Sequence, residues 1–256
     1  MIFLVWLSGL CFGSFANVCI CRGIKNESIL GRSYCPSCRT QLQVFDLIPL
    51  LSWIYSKGKC RYCKGEISWQ YPLIELICAA AWTVIYLYAG SALSLEWLIY
   101  SLIAIVFIII AGMDFLDKES GIDDRYILVG AILITFLRLY LSEEIDLLTG
   151  AAAGFCFSGA TYLIGKILYV AKGVSAYGEG DILVCILIGG LVGWKGFYWI
   201  YLSACILAVV WNSTYSIIAR KRDFLHITSP FAPFLIFAMA MVLVVDNLPY
   251  LTIFDF

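Results

Sequence analysis

The stretch Tyr177-Gly178-Glu179-Gly180-Asp181 decides the reading of this chain, because a glycine-broken acidic turn opens there directly into the apolar run Ile182 to Gly193. A carboxylate immersed in a bilayer costs about 2.5 to 3.5 kcal/mol or more, so such a group is kept only where it faces protein or water. Asp181 is therefore a functional candidate. Gly178 and Gly180 open backbone turns closed to other residues and let a second chain approach closely. A second acidic cluster, Asp114-Phe115-Leu116-Asp117 through Asp123-Asp124, follows the apolar run Trp97 to Met113. Two aspartates meeting at one membrane face are what acid protease chemistry requires. On their residues alone, both clusters read equally well as solvated carboxylates at helix ends, where the helix dipole favours acids such as Asp123, Asp124 and Asp181.

Outward from that stretch, composition sets the class. Hydrophobic residues make up 62% of the chain and charged residues 14%, against a charged share of about 25% in soluble domains. The apolar runs repeatedly approach the roughly 20 residues that a membrane helix needs. The expected fold is an all-α polytopic membrane protein with about eight transmembrane helices and a small cytoplasmic loop between the first and second. The domains expected are a first helix over 1–21, a cytoplasmic loop over 22–70 and a membrane domain over 71–256. The formal charge of −1 carries no message about polyanions, and no nucleic-acid partner is expected.

The first run, Met1 to Cys21, is uncharged, and the basic residues Arg22 and Lys25 follow it. A secretory signal would begin with its positive charges, so this run reads as a retained span with its N-terminus outside. Further spans are expected at Tyr71 to Tyr88, Trp97 to Met113, Tyr126 to Tyr140, Leu147 to Val170, Ile182 to Gly193, Phe197 to Ile218 and Phe231 to Val245. This threading puts fifteen of the seventeen basic residues on the cytoplasmic side and leaves only Arg138 and Lys195 outside, as the positive-inside rule asks. It also puts Asp114 and Asp181 at the cytoplasmic face. No internal repeat is visible.

Of the eleven cysteines, Cys35, Cys38, Cys60 and Cys63 alone have ligand spacing. Two Cys-x-x-Cys pairs separated by 21 residues have the form of a four-thiolate zinc site. Free thiols or two disulfides are the other readings, and a reducing cytoplasm disfavours the disulfides. Four thiolates leave no open position, so the zinc would be structural and would fold a loop too small and polar to hold itself. Asn17, Glu75 and Asn212 are polar residues inside apolar runs, suited to helix–helix hydrogen bonds. Glu75 is the one weighed toward function. The lone His226 sits beside a basic loop and reads as an interfacial side chain.

Taken together, these residues resemble the bacterial prepilin peptidases, the leader peptidases and N-methyltransferases of type IV pilin-like proteins. Gly13-Ser14-Phe15-Ala16-Asn17-Val18 with Arg22 is similar to the family's N-terminal signature, and Cys35-Pro36-x-Cys38 to its first zinc knuckle. Ile48-Pro49-Leu50-Leu51-Ser52-Trp53, Gly58-Lys59-Cys60-Arg61-Tyr62-Cys63, Ile67-Ser68 and Tyr71-Pro72-x-x-Glu75-Leu76 continue the resemblance in order. Gly178-Glu179-Gly180-Asp181 resembles the second catalytic motif and Pro230-Phe231-Ala232-Pro233-Phe234-Leu235 the C-terminal one. Three positions depart from the family pattern. The Ile-Pro-Asp-like triplet reads Ile122-Asp123-Asp124, with Asp114 eight residues before it and Asp117 five before it. Leu183 stands where the family has lysine, and Ala232 where it has glycine.

The resemblance implies a GxGD-type aspartic peptidase of the bacterial inner membrane, with Asp114 and Asp181 catalytic and Asp117 the alternative first aspartate. It implies cleavage of prepilin or pseudopilin substrates after the glycine that ends a basic leader, with the lipid bilayer as surroundings. It also implies N-methylation from S-adenosyl-L-methionine, with the donor site sought around the zinc loop, Asn17 and Glu75. A transporter or assembly scaffold with a structural zinc loop is the competing class.

Overall fold

The computed structural model describes residues 1–116, 124–141, 144–172, 178–218 and 230–246. The described residues are helical apart from turns, the loop segments between residues 25 and 69 and two isolated β-bridges. The helices are α1 (Ile2–Ile24), α2 (Leu51–Tyr55), α3 (Gln70–Tyr88), α4 (Leu95–Leu116), α5 (Asp124–Tyr140), α6 (Glu144–Lys172), α7 (Glu179–Ile218) and α8 (Ala232–Asp246), with a 3-10 turn at Val44–Leu47. Five of them, α1, α3, α4, α6 and α7, are long and apolar enough to cross a membrane. The chain forms two compact units, Met1–Ile109 and Ile110–Phe256.

In the first unit α1 packs on α3 through a small-residue seam. A Cβ on Gly9 would lie 2.6 Å from the Cα of Ala79, and one on Gly13 would lie 2.6 Å from the Cα of Glu75. The two backbones therefore approach as closely as small-xxx-small packing allows in lipid, where dispersion contacts replace the hydrophobic drive between helices. Ala16, Ile20, Cys78 and Ala79 fill the rest of the seam and are buried. Beyond it Trp82 stacks on Phe12 with ring centroids 4.5 Å apart and meets the edge of Trp97 at 5.3 Å.

In the second unit α6 and α7 form the main contact. α7 has one non-helical residue, Gly193, with φ 76° and ψ 173°. Contacts on its two sides run in opposite directions along α6. Before Gly193, Gly189 and Cys185 meet Gly150 and Gly154 backbone to backbone, and Glu179 accepts from the Tyr162 hydroxyl at 3.0 Å. After it, Phe197 and Tyr201 surround Phe157, and the Tyr201 and Thr161 hydroxyls are 2.7 Å apart. The first arm is antiparallel to α6 and the second is parallel to it, so α7 is a helical hairpin that reverses at Gly193. The expected spans Ile182 to Gly193 and Phe197 to Ile218 are these two arms.

Among the described residues five helices are thus long and apolar enough to cross a membrane, one of them divided into two arms. The first arm is short for a span because its surroundings are protein rather than lipid: Val184, Cys185, Ile188 and Gly189 are all buried. Arg138, in the last turn of α5, donates through Nε to the Gly190 carbonyl at 3.1 Å and through its other nitrogen to the Leu191 carbonyl. These carbonyls lie in the last turn of the first arm, where the guanidinium caps them and meets the negative end of the helix dipole.

The carboxylate pair and the thiolate cluster

The four cysteines that share ligand spacing come together. Their Sγ atoms all lie within 4.8 Å of one another, with Cys35 and Cys63 at 4.0 Å. Four sulfurs at 2.3 Å from a tetrahedral ion sit about 3.8 Å apart, so a small inward movement completes the site. Each pair sits in a knuckle of the same construction. The Cys35 amide donates to Thr40, Arg39 to Cys35 and Leu42 to Ser33; 25 residues later Cys60 donates to Gly65, Lys64 to Cys60 and Ile67 to Gly58. The residue after the second cysteine is left-handed in both, Arg39 with φ 58° and Lys64 with φ 60°. The two Cys-x-x-Cys pairs are thus the centres of a structural repeat with an offset of 25 residues.

Thiol chemistry in the cluster is uneven. The hydroxyl and backbone of Thr40 hold the Cys38 thiol down to about 6. The Gly65 amide favours the Cys63 thiolate, but desolvation and the neighbouring thiols outweigh it and push that group up to about 11. Neighbouring thiolates resist one another, and a dication among them removes that resistance. The donor set fits zinc.

Polar contacts dock the loop on its own unit and join the two helices that flank it. The buried Arg22 guanidinium donates to the carbonyls of Ser28, Ile29 and Leu30 through one nitrogen and to that of Arg32 through the other. Glu75 accepts from the Leu50 amide at 2.7 Å and from Ser14. Asn17 donates to the Tyr71 carbonyl at 3.0 Å. Asn17 and Glu75 line a cavity of about 1200 Å³ together with Tyr71, Trp53, Cys35 and Cys60. The sequence reading singled out Asn17 and Glu75 but missed Leu50 as a partner, because a backbone amide leaves no mark on sequence.

In the second unit the two carboxylates of the sequence analysis lie within electrostatic reach of each other. Asp181 is buried in the first turn of α7, and its Oδ2 accepts from the Gly178 amide at 3.2 Å. This is the carboxylate half of a capping box, which fixes the side chain over its own helix start. Asp114, in the last turn of α4, accepts at 3.1 Å from the Ala232 amide, so the Pro230–Leu235 motif touches the first aspartate directly. Gly180 is helical and uses no special backbone freedom, contrary to expectation. Among the described residues, a Cβ on Gly178 would meet only Asp181 Oδ2, at 3.5 Å. Asp117 and His226 lie outside the described residues.

Fold and sites define a polytopic helical membrane protein with a four-thiolate knuckle loop and a pair of neighbouring aspartates. A profile of the bacterial peptidase A24 N-terminal domain matches residues 7–89. The prepilin leader peptidase/N-methyltransferase of Bacillus subtilis (strain 168) is 29% identical over 238 residues, covering 91% of this chain and 90% of the relative. That of Dickeya chrysanthemi is 28% identical over 273 residues, covering 94% and 92%. That of Aeromonas salmonicida is 28% identical over 211 residues, covering 81% and 69%. No solved structure matches significantly. Residues 7–89 thus match a bacterial peptidase domain, and nearly the whole chain is similar to bacterial prepilin leader peptidase/N-methyltransferases.

Proposed function

We propose that this protein is a membrane endopeptidase that removes the basic leader of type IV prepilin-like proteins after a glycine and N-methylates the residue so exposed. The observation that carries the peptidase half is the meeting of Asp114 and Asp181 in one unit, each anchored by a backbone amide. Neighbouring carboxylates do not ionise together easily, so one keeps a proton while the other is charged. The charged one takes a proton from water, and the resulting hydroxide attacks the scissile carbonyl. The protonated one donates to the developing oxyanion, and on collapse of the tetrahedral intermediate the proton taken from water passes to the leaving amine while the second carboxyl recovers its own. The names of the relatives favour this chemistry over a transporter or scaffold.

For the second half, Cys35, Cys38, Cys60 and Cys63 would hold a structural zinc that fixes the loop around the cavity. S-adenosyl-L-methionine, when bound, supplies an electrophilic methyl group. The cavity lining mixes acidic side chains, Glu27, Asp46, Glu66 and Glu75, with basic ones, Arg22, Lys25, Lys57, Lys59, Arg61 and Lys64, and its aromatic residues such as Tyr34, Trp53 and Tyr71 suit the donor's aromatic base. With the loop's basic excess facing the cytoplasm of a bacterial inner membrane, both activities would meet the substrate's N-terminal side. Incubating the purified protein with a prepilin, with and without methyl donor, and weighing the product's N-terminus tests both halves. Loss of the leader with a 14 Da gain that depends on donor is expected; an intact substrate contradicts the peptidase reading.

A further inference from the structure

The loop carries an apolar surface that its own fold does not cover. Phe45 is 73% exposed, Leu51 63% and Tyr55 93%, and Ile54 and Trp69 are exposed beside them. Three contacts fix the height of this surface relative to α3. The Leu50 amide bonds to Glu75, Trp53 Nε1 donates to the Ile67 carbonyl at 3.2 Å, and the Trp53 and Trp69 rings lie 4.0 Å apart. Helix α3 has 19 residues, or roughly 28 Å at 1.5 Å per residue, which barely equals the hydrocarbon thickness of about 30 Å. Gln70 therefore stands at the bilayer boundary, and Glu75 lies about 7 Å inside it along the helix. The start of α2, bonded to Glu75, is held at the same depth.

We propose that Val44–Tyr55 is an interfacial element, with Leu51, Ile54 and Tyr55 set among the upper acyl chains and Trp69 at headgroup level. Tryptophan and tyrosine favour that boundary, and a short amphipathic helix lying in it buries its apolar side at shallow depth. Charge supports the same occupant: residues 22–70 hold eight Lys and Arg against three Asp and Glu, and an anionic leaflet attracts such an excess. The assignment rests on the depth of α2 and is independent of the catalytic reading. Its consequence is that the cavity lined by Leu51 and Tyr55 opens at the membrane surface.

The test uses the full chain in vesicles of phosphatidylethanolamine and phosphatidylglycerol. A benzophenone amino acid is placed at position 51 or 55, with position 128 on the exposed side of α5 as the lipid reference and position 61 in the second knuckle as the water reference. Lipid adducts at 51 and 55 should match those at 128 and exceed those at 61 several-fold. Yields no higher than at 61, or cross-links instead to a second copy of the chain or to added prepilin, overturn the proposal. Hydroxyl-radical footprinting of the unaltered chain in the same bilayer provides the second measurement. Tyr55 should be less oxidised than Tyr62, although Tyr62 is only 41% exposed on the protein alone; the opposite order overturns it as well.

Discussion

Glu75 and Leu50 are joined by a 2.7 Å hydrogen bond between a carboxylate inside a membrane helix and the backbone amide that opens α2. Leu50 itself has φ 61°, a conformation that a β-carbon disfavours and that surrounding contacts must hold. Removing the acceptor in Glu75→Ala should cost about 1 to 3 kcal/mol of loop stability, seen as faster proteolysis within residues 22–70 while the membrane helices melt as before. Glu75→Gln, which keeps an acceptor oxygen, should lose clearly less. Equal loss in both would show that charge, and not the bond to Leu50, is what matters there.

The seam between α1 and α3 leaves no room at Gly13, whose added Cβ would press on the Glu75 backbone. Gly13→Leu should therefore lower the unfolding midpoint in detergent, with a cost of about 1 to 3 kcal/mol typical of overpacking. Gly159, on α6, has open space around it, and Gly159→Leu should leave the midpoint almost unchanged. Similar midpoints for the two variants would contradict the close packing.

Metal analysis of the purified protein should find about one zinc per chain. Replacing Cys35 and Cys60 together by serine should abolish it, and removal of zinc should open the loop to protease before it disturbs the helices, since no helix supplies a ligand. Full metal occupancy in the double variant would place the ion elsewhere.

At the reversal in α7, the two Arg138 hydrogen bonds cap the carbonyls of Gly190 and Leu191. Charge-assisted bonds of this kind contribute about 1.5 to 3 kcal/mol each at most. Arg138→Gln should destabilise the second unit measurably in a thermal melt, and Arg138→Lys should recover only part of the loss because an ammonium lacks the planar fork. Full recovery with lysine would mean that charge alone suffices.

Residues differ in how openly they declare these roles. The thiolate cluster is legible because ligand spacing is local, and the helices are legible because lipid demands long apolar runs. The two Cys-x-x-Cys pairs mark the knuckles in the sequence, but that each is built by the same three backbone hydrogen bonds at an offset of 25 residues is visible only in the fold. Arg138, counted in the sequence as an outlying charge on the far side, turns out to be buried and to cap a helix. The seam glycines Gly9 and Gly13 do stand four apart in the sequence, a signal that could have been read. Asp181 is visible as a candidate, but its pairing with Asp114 and the contact of Asp114 with Ala232 require the fold.

The central claim is that Asp114 and Asp181 act as one acid–base unit, and cleavage of a prepilin by their asparagine variants tests it most directly. Asp114→Asn and Asp181→Asn should each remove nearly all turnover with the protein still folded and zinc-loaded, and the double variant should be little worse, because groups acting as a unit are not additive. Asp117→Asn should lose less than about tenfold, or about 1.4 kcal/mol of barrier. Normal cleavage by Asp114→Asn together with an inactive Asp117→Asn would transfer the role to Asp117, and normal cleavage by both Asp114→Asn and Asp181→Asn would contradict the aspartic mechanism itself.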